Sequence, residues 1–116
     1  MNYEKTSLLL KAMADPKRMK IVDLLSCGSL CACDLLDHFD FTQPTLSHHM
    51  KVLEQAGIIS VSKKGKWHHY TLQEEFVREF LVSMMQLLSN DEQTCICQNK
   101  ECIEKGEEVH EKIRTI

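Results

Sequence analysis

The chain has 116 residues, of which 43% are hydrophobic and 27% are charged, and its formal net charge is −3. This length predicts a single domain, and the composition is that of a soluble globular protein. No apolar run approaches the ~20 residues that a membrane span needs, and the N-terminus lacks the pattern of a signal peptide. We therefore expect a soluble, cytoplasmic protein with no membrane partner.

The first third of the chain predicts three helices. Apolar residues recur at helical spacing over residues 1–14. Asp15 is suited to cap a second helix, with Pro16 in its first turn and Gly28 just past its end. A short third helix is expected over residues 31–39.

The middle of the chain predicts a fourth helix and a β-hairpin. Thr42 is suited to cap this helix, and Gly57 is suited to end it. Residues 58–62 and 67–72 are rich in β-type side chains, and a lysine-rich turn with one glycine lies between them at 63–66. This pattern is typical of a two-stranded hairpin.

A long amphipathic helix is expected over residues 74–88. It carries more apolar surface than one small domain needs to bury. The segment after it is polar, acidic and cysteine-containing. We expect a folded domain over residues 1–90 and an acidic tail over residues 91–116, in a mainly α (α+β) protein.

The order of these elements predicts a winged helix-turn-helix, in which the second helix of the pair enters the major groove of DNA. Its exposed side chains suit base edges and phosphates: Gln43, Thr45, Ser47, His48 and Lys51. The hairpin tip adds phosphate-binding candidates: Lys63, Lys64 and Lys66. Residues 41–70 carry four lysines against one glutamate, so the negative net charge does not exclude DNA. The alternative is that these lysines form only a solvated turn.

The six cysteines fall into two clusters, one of Cys27, Cys31 and Cys33 and one of Cys95, Cys97 and Cys102. In a reducing cytosol we expect thiols rather than disulfides. Cys-x-Cys is a chelating spacing for soft ions. On a regular helix, residues two apart face about 200° apart, so an ion held by the first pair is expected to distort the start of the third helix. The alternative is buried or incidental thiols.

The paired histidines, His48 with His49 and His68 with His69, are weaker signals. Adjacent residues on a helix point about 100° apart, so each pair places at most one member on a given face. We expect most of these rings to pack or to form hydrogen bonds rather than to bind a metal.

Residues 30–36 (Leu-Cys-Ala-Cys-Asp-Leu-Leu), followed by residues 43–57, resemble the ArsR/SmtB family of metalloregulatory repressors, and within it the arsenic-responsive members. The resemblance covers about residues 5–90 and implies a homodimer that joins through its first and last helices. It further implies a repressor of an arsenic-resistance operon, which leaves its operator when As(III) or Sb(III) binds cysteine thiolates.

The resemblance also places Cys31 and Cys33 on the metal motif of the third helix, with Asp34 alongside. Arsenic repressors of the family carry a third cysteine three residues further on, where this chain has Leu36. The source of the third sulfur is then open, with Cys27 and the tail cysteines as candidates. Alternatively, the tail cysteines form a site of their own. The zinc-sensing branch is disfavoured, because no histidine lies between residues 71 and 88.

Three other functions stand beside this one. One is the same repressor fold responding to Cd(II), Pb(II) or thiol oxidation. Another is a protein that binds or traffics metal through its cysteines without binding DNA. An enzyme is disfavoured, because no nucleophile–base pair, phosphate-cradling glycine loop or carboxylate pair is evident. No catalytic cofactor is therefore expected.

Overall fold

The computed structural model describes residues 1–89, which form five helices and three strands. In chain order these are α1 (Tyr3–Met13), α2 (Pro16–Leu25), β1 (Leu30–Cys31), α3 (Ala32–Leu36), α4 (Gln43–Gln55), β2 (Ile59–Lys64), β3 (Trp67–Leu72) and α5 (Glu74–Leu88). By its internal contacts the chain divides into two units, Met1–Ser83 and Met84–Ile116. The packing described below lies within the first unit. The mainly helical winged helix-turn-helix predicted from the sequence is confirmed.

The two predicted N-cap residues, Asp15 and Thr42, differ in how they treat the free backbone N–H groups of their helices. Asp15 caps α2, since its Oδ1 accepts hydrogen bonds from the backbone N–H groups of Lys17 and Arg18 at 2.8 and 3.2 Å. Thr42 holds the predicted cap position of α4 with extended backbone, but its side chain makes no capping hydrogen bond. Its hydroxyl lies 3.3 Å from that of Thr45 instead.

The sheet is antiparallel with strand order β1-β3-β2. β2 and β3 form the predicted hairpin, with pairing that runs from Ile59 opposite Leu72 to Lys64 opposite Trp67. Gly65 in the connecting turn has a φ of +64°, a conformation in which a side chain would be strained. The hairpin is therefore closed by a tight turn at its tip.

One apolar core joins α2, α3, α4 and the hairpin. Its most deeply buried side chains are Ile21, Leu35, Leu46, Met50, Leu53, Ile58 and Ile59. Burying a side chain of this kind contributes roughly 1.5–3 kcal/mol relative to leaving it exposed. Three of the seven belong to α4, so the core fixes the rotation of this helix and with it the face that α4 presents to solvent.

Two elements differ from those predicted. The third helix spans Ala32–Leu36 rather than residues 31–39. It begins after Cys31 because Leu30 and Cys31 pair with β3 as a short strand. The hairpin turn is also shorter than predicted. Lys63 and Lys64 belong to β2, where they pair with His68 and Trp67, and so lie beside the turn rather than in it.

Within residues 1–89, no helix has the length and apolar character that crossing a membrane would require. The predicted tail at residues 91–116 lies outside the described part of the chain, and the domain boundary at residue 90 stays a prediction.

Candidate nucleic-acid interface and thiol pair

α4 presents a polar face opposite its core-facing side. Four of the five side chains predicted to contact DNA are exposed on it: Gln43, Ser47, His48 and Lys51. Thr45 is half-buried, and its hydroxyl is close to that of Thr42. The exposed set contains an amide, a hydroxyl, an imidazole and an ammonium, which are the groups that proteins use to contact base edges and phosphates.

A partly buried polar contact anchors the middle of α4. Nε of Arg18 donates to the carbonyl oxygen of Ala12 at 2.6 Å, and Nη1 of Arg18 lies 3.2 Å from Nδ1 of His49. His49 is only 8% exposed. Arg18 thereby ties the end of α1 and the start of α2 to α4. The expected hydrogen-bonding role is thus confirmed for His49, a residue that the sequence did not single out within its pair.

The same contact fixes the charge state of His49. A guanidinium can only donate hydrogen bonds, so Nδ1 of His49 must be unprotonated. Burial lowers the pKa of His49; the carboxylate of Asp15 opposes this effect, and the Arg18 guanidinium adds to it. The pKa of Asp15 is lowered as well, chiefly by the backbone N–H of Arg18. The neutral ring is therefore the form that the fold accommodates.

The wing formed by β2 and β3 ends in an exposed basic cluster. Lys63 and Lys64 at the end of β2 and Lys66 in the turn are all exposed. They form no ion pair in the part of the chain that the structure describes. The predicted phosphate-binding lysines are therefore free of carboxylate partners, although they come from a strand and a turn rather than from one loop.

The structure brings Cys31 and Cys33 together at the start of α3. Cys31 is the extended N-cap residue of this helix, and its Sγ accepts a hydrogen bond from the backbone N–H of Asp34. The two Cα atoms are 5.4 Å apart and the sulfurs are joined as a disulfide. Ligand atoms of Cys31, Cys33 and Asp34 lie within 4.8 Å of one another. This is the only such group of metal-ligating side chains found in residues 1–89.

One expectation from the sequence is wrong here, and the premise of another does not hold. The pair is a disulfide, whereas free thiols were expected. Convergence of the sulfurs also needs no distortion of α3. The 200° argument assumed that both cysteines lie in the helix, but the extended backbone of Cys31 (φ −81°, ψ 163°) turns its side chain towards Cys33.

The third sulfur is not among the neighbours of this pair in the described chain. Cys27 is exposed and free, and it lines a separate cavity of about 600 Å³ together with Thr71 and Arg78. Leu36, three residues after Cys33, packs against the core. The candidates Cys95, Cys97 and Cys102 lie outside the described residues.

β1 connects the thiol pair to the wing, a link that the sequence analysis missed. Cys31 is opposite His69 of β3, and His69 is opposite Ser62 of β2 on its other side. α3 also packs against both α4 and β3. A change in position at Cys31 would therefore reach the wing and α4 through direct contacts.

α1 and α5 leave much apolar surface exposed. Phe76 is the one buried side chain of α5. Five of its apolar side chains are exposed: Leu81, Val82, Met85, Leu87 and Leu88. On α1 the exposed apolar side chains are Tyr3, Leu8 and Leu10. This much exposed apolar surface on two helices is typical of a protein–protein interface.

This chain is similar to known bacterial regulatory proteins. Residues 15–61 match a family described as "Bacterial regulatory protein, arsR family". An arsenical resistance operon repressor from Staphylococcus xylosus is 46% identical over 99 residues, which cover 85% of this chain and 94% of that protein. The corresponding repressor from Staphylococcus aureus is 43% identical with the same coverage.

Solved structures share the fold. The crystal structure of a possible transcriptional regulator for arsenical resistance superposes on this chain with a TM-score of 0.65 at 26% sequence identity. The matched region covers 71% of this chain and 85% of that protein.

Proposed function

Because the chain belongs to the arsR family of bacterial regulatory proteins, we propose that it represses an arsenic-resistance operon and leaves the operator when As(III) or Sb(III) binds Cys31 and Cys33. The family consists of DNA-binding transcriptional regulators, so the prediction that the chain is not an enzyme is confirmed. The identity of the inducer, its binding site and the operator belong to the proposal.

The observation that carries this proposal is the convergence of Cys31 and Cys33. Once reduced, the pair offers two thiolates on one short stretch of backbone, beside the carboxylate of Asp34. Thiolates select soft ions over hard ones. The third sulfur of a three-thiolate site would come from the tail cysteines Cys95, Cys97 and Cys102, of the same subunit or the partner. Cys27 is disfavoured for this role, because its sulfur is not part of the cluster.

We infer that binding changes the interface through β1 and α3. The two thiolates would hold the ion against the start of α3, and this would fix the backbone from Cys31 to Asp34. Since Cys31 pairs with His69 of the wing and α3 packs on α4, a new position of this segment would shift both DNA-contacting elements relative to the core. The protein would leave the DNA because α4 and the wing could no longer contact it at the same time.

On DNA, we propose that α4 lies in the major groove with Gln43, Thr45, Ser47 and His48 near base edges. Lys51, Lys63, Lys64 and Lys66 would contact phosphates, whose neutralisation supplies much of the affinity. The exposed apolar side chains of α1 and α5 would join two copies into a homodimer. Two α4 helices related by a twofold axis would then read a pseudo-palindrome.

Release can be measured in a gel shift with a duplex that the protein selects from random-sequence DNA. The protein is kept reduced with a phosphine, which does not offer competing thiols. We expect arsenite to release the reduced wild-type chain. Cys33→Ser should bind the duplex as tightly but remain bound at arsenite concentrations that release the wild type.

Cys27→Ser is the matched control, since Cys27 is exposed and lines a different cavity. It should be released like the wild type. Arsenite release of Cys33→Ser at the wild-type concentration would overturn the assignment of the site. Release by Cd(II) or Pb(II) but not by arsenite or antimonite would overturn the assignment of the inducer.

A response to thiol oxidation is the second candidate, and the Cys31–Cys33 disulfide favours it. A disulfide-type oxidant would accept two electrons from the two thiols, which lose two protons as the bond forms. Treating the DNA-bound protein with glutathione disulfide separates the candidates. An oxidation sensor releases DNA on this treatment alone. An arsenic sensor stays bound and becomes insensitive to arsenite, because its thiolates are no longer available.

A further inference from the structure

Two lysines of α2 lie over an aromatic pair that leads into α4. The rings of Phe39 and Phe41 are stacked, with centroids 4.5 Å apart and an interplanar angle of 11°. Nζ of Lys20 lies 4.9 Å from the centroid of Phe39, and Nζ of Lys17 lies 5.6 Å from that of Phe41. An ammonium group is attracted to a ring face at such distances. The aromatic pair therefore restrains both ammonium groups.

A hydrogen bond restrains one of them further. Nζ of Lys20 donates to the backbone carbonyl oxygen of His38 at 2.9 Å. An ammonium has three N–H donors, so two remain available on Lys20. Because these side chains are already restrained, they lose less conformational entropy when they bind a ligand than free lysines do.

Both charges are left without a carboxylate partner. In the part of the chain that the structure describes, the one ion pair joins Lys5 to Glu79. Lys17 and Lys20 are exposed, and they line a cavity of about 460 Å³ whose one carboxylate belongs to Asp40. That carboxylate forms no ion pair with either lysine. Within the described residues, neither lysine is thus held in an ion pair.

Arg18, the cation next to Lys17 on α2, does not belong to this cluster. Arg18 is half-buried and bonds to Ala12 and His49, so it serves the core. Lys17 and Lys20 face solvent, over the segment that ends at Phe41 next to the N-cap residue of α4. A helix that lies in the major groove has a sugar–phosphate backbone on each side. Cations held beside the first turn of α4 are therefore placed close to phosphates.

We propose that Lys17 and Lys20 form a second phosphate-binding patch, the α2 patch, which extends the DNA interface beyond α4 and the wing. This inference rests on the proposed binding of DNA by α4. The α2 patch binds the backbone irrespective of base sequence, because an ammonium group reads charge rather than base edges. It sets the register of α4 along the groove.

The salt dependence of affinity tests the proposal. Fluorescence anisotropy of the selected duplex gives the association constant at several salt concentrations, and each phosphate contact contributes about 0.9 to the slope of its logarithm against the logarithm of salt concentration. We expect Lys17→Gln and Lys20→Gln each to lower the slope by about one, and the double variant to lower it by about two. Lys20→Arg keeps the charge and should keep the wild-type slope.

Lys11→Gln is the matched control, because Lys11 is an exposed lysine of α1 that does not line this cavity; its slope should equal that of the wild type. A wild-type slope in the double variant overturns the α2 patch. So does a lost slope that accompanies unfolding seen by circular dichroism, since the lysines are then structural. If the wild-type chain shows no salt-dependent DNA binding, the proposed function fails, and the α2 patch with it.

Discussion

At the scale of single residues, His49 couples protonation to the position of the recognition helix α4. Its Nδ1 accepts from Arg18 only while the ring is neutral. Three charged groups besides Arg18 act on it: Asp15, His48 and Lys17. Asp15 favours the charged ring and the cations disfavour it, but burial is the largest influence and keeps the pKa of His49 below its usual value.

This arrangement predicts a loss of stability in mild acid. Above the unfolded pKa of about 6.5, His49 is neutral in both states and contributes no pH dependence. Below it, the unfolded chain takes up a proton that the folded chain resists, so the free energy of unfolding falls until the pH passes the lowered folded pKa. Urea denaturation at pH 7.5 and 5.5 should show a smaller stability loss in His49→Gln than in the wild type. Equal losses would contradict this role of His49.

How much of the site could be read from the sequence depends on the range of each interaction. The cap at Asp15 and the exposed face of α4 follow from local spacing, and both were predicted. The geometry at Cys31 was not. It depends on pairing with His69, which lies far along the chain, and a two-residue strand leaves no period to detect. The same holds for Arg18 and His49, which are 31 residues apart.

At the scale of elements, α4 separates two functions on opposite faces. Leu53 is fully buried in the core, whereas Lys51, two residues earlier, is exposed. Removing a buried leucine side chain to Cβ loses the transfer free energy of the side chain and leaves a cavity. An exposed lysine loses neither.

Substitutions on the two faces should therefore affect different properties, stability on the core face and DNA binding on the exposed face. Leu53→Ala is expected to lower the free energy of unfolding by about 2–5 kcal/mol. Lys51→Ala should change it by no more than about 0.5 kcal/mol, but should weaken DNA binding and lower its salt dependence. Urea denaturation and fluorescence anisotropy measure the two quantities. A Lys51→Ala variant that binds DNA with wild-type affinity and salt dependence would remove this residue from the interface.

The hairpin shows where prediction from sequence succeeds and where it stops. Its two strands and glycine turn were predicted, because runs of β-type residues on both sides of a glycine turn are a local signal. Whether Lys63 and Lys64 pair or loop out is decided by register with Trp67 and His68. Where strand ends are polar and exposed, the sequence specifies the pairing register only weakly.

At the scale of the whole molecule, charge and apolar surface are distributed unevenly. Residues 41–70 carry an excess of lysine, whereas residues 90–116 carry seven acidic and four basic side chains. The net charge of −3 is thus the sum of regions with opposite sign. The apolar excess lies on α1 and α5, which we propose as the contact between subunits.

This proposal predicts that a charge on α5 separates the subunits. Leu81 is 57% exposed and so is Met19 on α2. Leu81→Glu should weaken dimerisation at least about tenfold, since an unpaired carboxylate in an apolar interface costs more than about 1.4 kcal/mol. Met19→Glu is the control of equal exposure and should leave the dimer intact. Sedimentation equilibrium measures both; a wild-type dimer in Leu81→Glu would place the interface elsewhere.

Arsenic K-edge X-ray absorption of the reduced protein with bound arsenite shows whether Cys31 and Cys33 hold the inducer. The spectrum counts the sulfur neighbours of each arsenic. We predict that the variant with both Cys31→Ser and Cys33→Ser loses two sulfur neighbours per arsenic or fails to retain the ion, while Cys27→Ser keeps the wild-type count. A wild-type sulfur count in the double variant would contradict the account.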